Sequence, residues 1–203
     1  MGLWLARVSW LATVAATVTA ASAHAAGAQS PKLEPGVFLV AARGLADRHF
    51  AESVVLLFAY SARDGAAGLI LTRPAASPVR SAVPDLPIPR AADPRVFFGG
   101  PVAPAEPRAL WRSGTASAAF PRLLPDVTFL GSLEAIDAAI ANGATAQNLR
   151  VYAGYAGWSP NQLERELARG DWHVRPGESA IVFSTEPLSL WQRLIRMTDV
   201  LRL

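Results

Sequence analysis

From Leu149 to Trp172 the residues admit essentially one local conformation: a strand, a sharp turn and a short amphipathic helix. Val151, Tyr152 and Tyr155 suit a pleated, half-buried surface, so Leu149 to Tyr155 is expected to be a strand. Gly154 and Gly157 bracket Ala156 at its exit, where glycine marks a bend or a close backbone approach. Ser159 suits an N-cap, and Pro160 suits the first helical position, where a missing N–H costs nothing. Gln162, three residues after Ser159, completes a capping-box pattern. Leu163 and Leu167 form the apolar stripe, Gly170 suits a left-handed C-terminal cap, and Trp158 and Trp172 bracket the helix.

Elsewhere periodicity sets the outline. Val37 to Ala42 and Ser53 to Tyr60 are apolar runs that fit buried strands, and Asp64-Gly65 signals a hairpin into Gly68 to Thr72. Arg73 to Arg95 is crowded with proline, which denies it a central strand or helix and predicts a surface course. Val96 to Phe98, Arg108 to Arg112, Val127 to Leu130 and Ser179 to Thr185 are further expected strands. Ser132 caps a helix carrying Leu133, Ile136 and Ile140, stopped by Asn142-Gly143. Pro187 opens a last helix with Leu188, Trp191, Leu194 and Ile195 on one stripe and Arg193 and Arg196 outside. Strands first, helices later and hairpin-like connections predict a single α+β domain with a largely antiparallel sheet.

Five segments, in order, resemble the YqgE/AlgH family of small bacterial proteins, most of which lack an assigned biochemical activity. They are the Gly154 to Trp172 run; Gly36 to Ala41 with Asp47, Phe50 and Ser53 to Leu57; Gly68-Leu69-Ile70-Leu71-Thr72-Arg73-Pro74; Phe98-Gly99-Gly100-Pro101-Val102; and Ile181-Val182-Phe183 with Pro187 and Trp191. The resemblance implies a sheet bent into a barrel-like core with helices packed around it, over a domain from residue 36 to 203. Leu110-Trp111 departs from the Leu-His pair of many members, so no role of that histidine carries over.

Before that domain, Met1 to Ala25 has one early Arg7, the apolar run Val8 to Ala20, and small residues at Ala21-Ser22-Ala23 and Ala23-His24-Ala25. That is the pattern of a cleaved signal peptide, followed by a linker over 26–35. It predicts a periplasmic or secreted protein, with no membrane contact once the leader is removed. A retained anchor or an upstream start codon is the alternative, and the resemblance implies a cytoplasmic location.

Composition removes several chemistries. The chain has no cysteine, which excludes disulfides and thiolate catalysis or ligation. Its formal charge of +3 is spread over dispersed arginines, with no basic stripe, so no nucleic-acid partner is expected. The histidines are His24, His49 and His173. His49 with Glu52, and Asp171 with His173, lack a recognised ligand spacing, so neither a metal nor any other cofactor is expected. There is no G-x-S-x-G elbow and no phosphate-binding glycine pattern. Gly99-Gly100-Pro101 fits a turn instead, and Glu164 and Glu166 fit a solvated face alternating with Arg165 and Arg169.

A dense motif without a nucleophile, base or metal set points to a non-catalytic binding or regulatory domain. Tyr155, Trp158 and Gln162, with Gly99, Gly100 and Pro101, are the candidate contacts for a protein partner or small ligand. The equal alternative for Trp158 is that it staples the helix to the sheet. A hydrolase using Asp47, His49 and Ser53 is a second reading, and transcriptional regulation a third, without an evident helix-turn-helix.

Overall fold

In this computed structural model, which describes residues 32–82, 95–113 and 120–200, the sheet is hung on one long strand, β9 (Leu149–Trp158). The expected leader, most of the linker and much of the proline-rich run lie outside the described residues. The other strands are β1 (Phe38–Ala41), β2 (Val54–Ser61), β3 (Gly65–Ile70), β4 (Pro74–Pro78), β5 (Arg95–Phe98), β6 (Val102–Arg112), β7 (Arg122–Leu124), β8 (Val127–Leu130) and β10 (Trp172–Arg175). They pair in the order β10-β1-β2-β3-β9-β6-β8-β7, with β5 beside β9 and β4 beside β5. Every pairing described is antiparallel except β5 with β9. The fold is α+β as the pattern predicts, and the bent sheet stays open, ending on β10 and β7.

β9 forks its own edge. Val151 to Ala153 pair with β5, Ala156 to Trp158 pair with β3, and β6 runs along the opposite edge. The break falls at Gly154, where φ is +68°. There the chain leaves β5 through Gly99-Gly100-Pro101 and crosses to the other edge of β9 to begin β6 at Val102, opposite Tyr155. A Cβ on Gly154 would lie 2.5 Å from the Gly100 carbonyl oxygen, and one on Gly99 or Gly100 would overlap the β9 backbone. Only glycine permits this approach, which is why a side-chain-free crossing is written into both segments.

Because side chains alternate along a strand, β9 feeds two cores. Tyr152, Ala156 and Trp158 enter the larger one with β1, β2 and β3, while Leu149, Val151 and Ala153 join a second with Ile136 and Ala139 of α2 (Leu133–Ala141). The second core stops at Gly154, beyond which Tyr155 and Gly157 are half-buried. α5 (Leu190–Val200) closes the larger core with Trp191, Leu194 and Ile195, and the Trp191 indole donates to the Ala41 carbonyl at 2.8 Å.

Several expectations are corrected. Ser179–Val182 is one helical turn, α4, not a strand; its short apolar run carries no periodicity that separates the two. Pro187–Ser189 is a 3-10 turn that turns Leu188 outward, so that residue leaves the expected buried stripe. The proline-rich run supplies the short strand β4 and one helical turn, α1 (Val79–Ala82), with Val79 fully buried. Its prolines are tolerated because β4 is an edge strand, paired only with β5 among the described residues. β6 starts six residues earlier than expected, at Val102, its irregular first half accommodating Pro104 and Pro107. β7 and β10, of three and four residues, are strands beyond those expected from the sequence.

Candidate functional site

The corner singled out from the sequence faces two ways. Tyr155 and Gly157 lie on the outer face of β9, while Trp158 borders the same groove but turns its indole toward Glu166 of the helix α3 (Gln162–Arg169), which Gln162 begins.

On the outer face, Ala59, Ala67 and Gly157 stand side by side in register across β2, β3 and β9. They form the floor of a groove of about 640 Å³. Tyr155 and its cross-strand neighbour Val102, which is 37% exposed, line the same groove. The Tyr155 ring is fixed by the Arg108 guanidinium, 4.5 Å from its centre, and by the edge of Phe58 at 6.0 Å. Phe58 in turn stacks on Phe129 at 4.2 Å. The aromatic wall is therefore held before anything binds.

Gly99, Gly100 and Pro101 adjoin this groove only through Val102. Gly99 donates its N–H to Ala153 and accepts from Ile70, so its backbone is spent on the fork in β9. Gly99 and Gly100 are buried and Pro101 is exposed.

Across the sheet, the Trp158 and Trp172 indoles both donate to Oε2 of Glu166 at 2.8 Å, and the Gln162 amide donates to Oε1 at 2.9 Å. Phe50 stacks on Trp158 at 5.6 Å and meets Trp172 edge-on at 5.7 Å. Tyr60 donates to Glu164 at 2.8 Å, and that hydrogen bond raises the Tyr60 hydroxyl above its ordinary pKa. The expectation that Glu164 and Glu166 form a solvated face is thus overturned: both carboxylates turn back and accept donors from the sheet. The helix also starts later than expected. Asn161 takes the left-handed conformation at φ +60°, which asparagine tolerates, and the helix runs from Gln162. Half of the capping box survives, with Gln162 Oε1 accepting the Ser159 N–H at 3.0 Å. Gly170 ends the helix at φ +82°, as its position predicts.

Asp47, His49 and Ser53 do not form a relay. Asp47 Oδ1 accepts the backbone N–H of His49 at 2.8 Å, and the fully buried Ser53 hydroxyl donates to the Phe50 carbonyl at 2.7 Å. These are turn-forming bonds, which hold the connection from β1 to β2. Among the described residues, no group of three or more His, Asp or Glu side chains gathers as a metal site would require. His173 follows Trp172 on β10, opposite Val40.

Sequence reasoning missed Glu166 as an acceptor and Arg150 as a pocket residue. The spacing of Trp158, Gln162, Glu166 and Trp172 held the first signal: i and i+4 place Gln162 and Glu166 together on one helix face. Arg150 carried none, being one arginine among many.

A family model described as AlgH-like matches residues 38–201. A UPF0301 protein of Methylococcus capsulatus is 34% identical over 164 residues, covering 79% of this chain and 89% of its own. Another from Sphingopyxis alaskensis is 36% identical over 170 residues, covering 80% and 88%. The solution structure of the AlgH protein from Pseudomonas aeruginosa is similar with a TM-score of 0.60 at 27% identity, covering 84% of this chain and 90% of that one. A crystal structure of a Corynebacterium diphtheriae protein has a TM-score of 0.70 at 24% identity, covering 83% and 89%, a likeness of fold.

Proposed function

We propose that this chain, which belongs to the AlgH-like family, is a non-catalytic binding or regulatory domain that engages a protein partner or ligand through the outer groove of β2, β3 and β9. One observation carries this reading: an in-register row of Ala59, Ala67 and Gly157 lies open beside a braced aromatic wall. Side chains this small let a flat ring or an extended segment lie close to the sheet. A tyrosine held in place contributes contact area at little entropic cost, which is why such residues anchor interfaces. The groove's volume falls in the range of known binding sites. Trp158 and Gln162, in contrast, serve as structural clamps through Glu166. With the leader Met1–Ala25 cleaved on export, the partner would be met in the periplasm or outside the cell, and N-terminal sequencing of fractionated cells tests that location.

Val102→Asp places a charge in the groove at an exposed site, and Tyr155→Ala removes its wall. We expect Val102→Asp to keep the parent's thermal midpoint while partner capture from native extracts is lost, and Tyr155→Ala to lose capture as well. Retained capture by both variants would contradict the reading, as would a collapse in stability for Val102→Asp.

A further inference from the structure

Arg150 lines a pocket of about 580 Å³ at the opposite end of β9, among Pro74, Phe97, Leu149, Ser184, Pro187 and Leu188. Its guanidinium lies 4.8 Å from the centre of the Phe97 ring and 5.8 Å from that of Phe183, and its Nη2 donates to the Ser184 carbonyl. Arg112 stacks on the same Phe183 at 4.4 Å but has a carboxylate, that of Asp126, at 3.6 Å. Arg150 pairs with no carboxylate among the described residues. Its Nε is buried without a hydrogen-bond partner, and so is the hydroxyl of Tyr152, whose ring packs on Phe97 at 5.4 Å.

A cation withdrawn from water is expensive unless something neutralises it. Burial, and beyond it the charge of Arg112, pushes the Arg150 pKa down, with Tyr152 acting the other way. Arginine nevertheless does not give up its proton, so the charge stays. Two aromatic faces and one carbonyl hold it, and no carboxylate among the described residues neutralises it. We propose that this pocket binds an organic anion, an apolar or aromatic body carrying one oxyanion that pairs with Arg150. The guanidinium fork matches the two oxygens of a carboxylate or phosphate, and the apolar walls suit the body. A cavity of this size takes a molecule of metabolite or drug dimensions. Glu186, at the exposed rim with its carboxylate near the Ser189 hydroxyl at 3.3 Å, disfavours ligands with several negative charges. The site is separate from the outer groove, so the two readings stand or fall independently.

The test is titration of the full chain by calorimetry and amide chemical shifts, using 3-phenylpropionate, phenyl phosphate and the uncharged 3-phenylpropionamide. We expect one or both anions to bind with shifts at Arg150, Ser184 and Leu188, and the amide to bind about tenfold more weakly or worse. The tighter anion identifies the headgroup. Arg150→Gln should lose about tenfold in affinity. Because Arg150 also ties β9 to the Ser184 turn, a second variant guards against misfolding: Leu188→Asp, at a side chain 76% exposed, should weaken anion binding while leaving the thermal midpoint unchanged. Equal binding of acid and amide, parent-like affinity in a folded Arg150→Gln or in Leu188→Asp, or no shifts at millimolar ligand would each overturn the proposal.

Discussion

The indoles of Trp158 and Trp172 share one acceptor, each donating at 2.8 Å to Oε2 of Glu166. Trp158 ends β9 and Trp172 begins β10, so one carboxylate on α3 joins strands from two parts of the sheet. Phe50 wedges against both rings. This clamp fixes the strand-to-helix turn that the sequence marks so densely.

Glu166→Ala strands two buried indole donors and should cost about 2–4 kcal/mol. Glu166→Gln keeps an acceptor oxygen and should cost less. Urea denaturation followed by tryptophan fluorescence reads both, and a parent-like midpoint for Glu166→Ala would show that the clamp contributes no stability.

Gly154→Ala puts a methyl against the Gly100 carbonyl at a positive φ, and should cost about 4 kcal/mol or more, or abolish soluble expression. Gly170→Ala is the control. Its φ is also positive, but nothing lies within 4 Å of the added methyl, so about 1–2 kcal/mol is expected. Equal losses would mean that backbone strain, not the crossing of chains, sets the requirement.

Tyr152→Phe removes a buried hydroxyl without a partner, and should leave stability unchanged or raise it by about 1 kcal/mol at neutral pH. Burial raises the Tyr152 pKa well above its ordinary 10.0. The neutral form is therefore favoured in the folded state, and the parent should lose stability as pH rises above about 10, where the unfolded chain ionises first. Tyr152→Phe should lose less over that range. Parallel alkaline denaturation curves would contradict this.

Ser53→Ala should lower stability by about 1 kcal/mol, because its hydroxyl caps the Phe50 carbonyl in a fully buried position. His49→Ala should leave any ester turnover of the purified protein unchanged. A loss of turnover in both variants would revive the hydrolase reading.

The sequence was legible where signals were local. The cap at Ser132 is real, with its hydroxyl accepting the Ala135 N–H at 3.3 Å, and Gly170 and the Asp64-Gly65 hairpin fall where their turn chemistry requires. It was illegible where tertiary pairing decides. Nothing local says that β9 changes neighbours at Gly154, or that the four residues from Trp172 will cover the edge of β1. The apolar run at Ser179 misled because a single helical turn and a short strand share that composition. For the site, Tyr155 could be named from its motif, but the groove floor could not. Ala59 and Ala67 acquire meaning only from the register that sets them beside Gly157.

Whether the outer groove holds a partner is decided by photo-cross-linking in living cells, with a benzophenone side chain placed at Ala67 on the groove floor and, as control, at exposed Arg165 on α3. Discrete adducts are expected from position 67, vanishing when Val102→Asp is added, and none from position 165. Absence of adducts at 67, or the same adducts from both positions, would contradict partner binding in the groove.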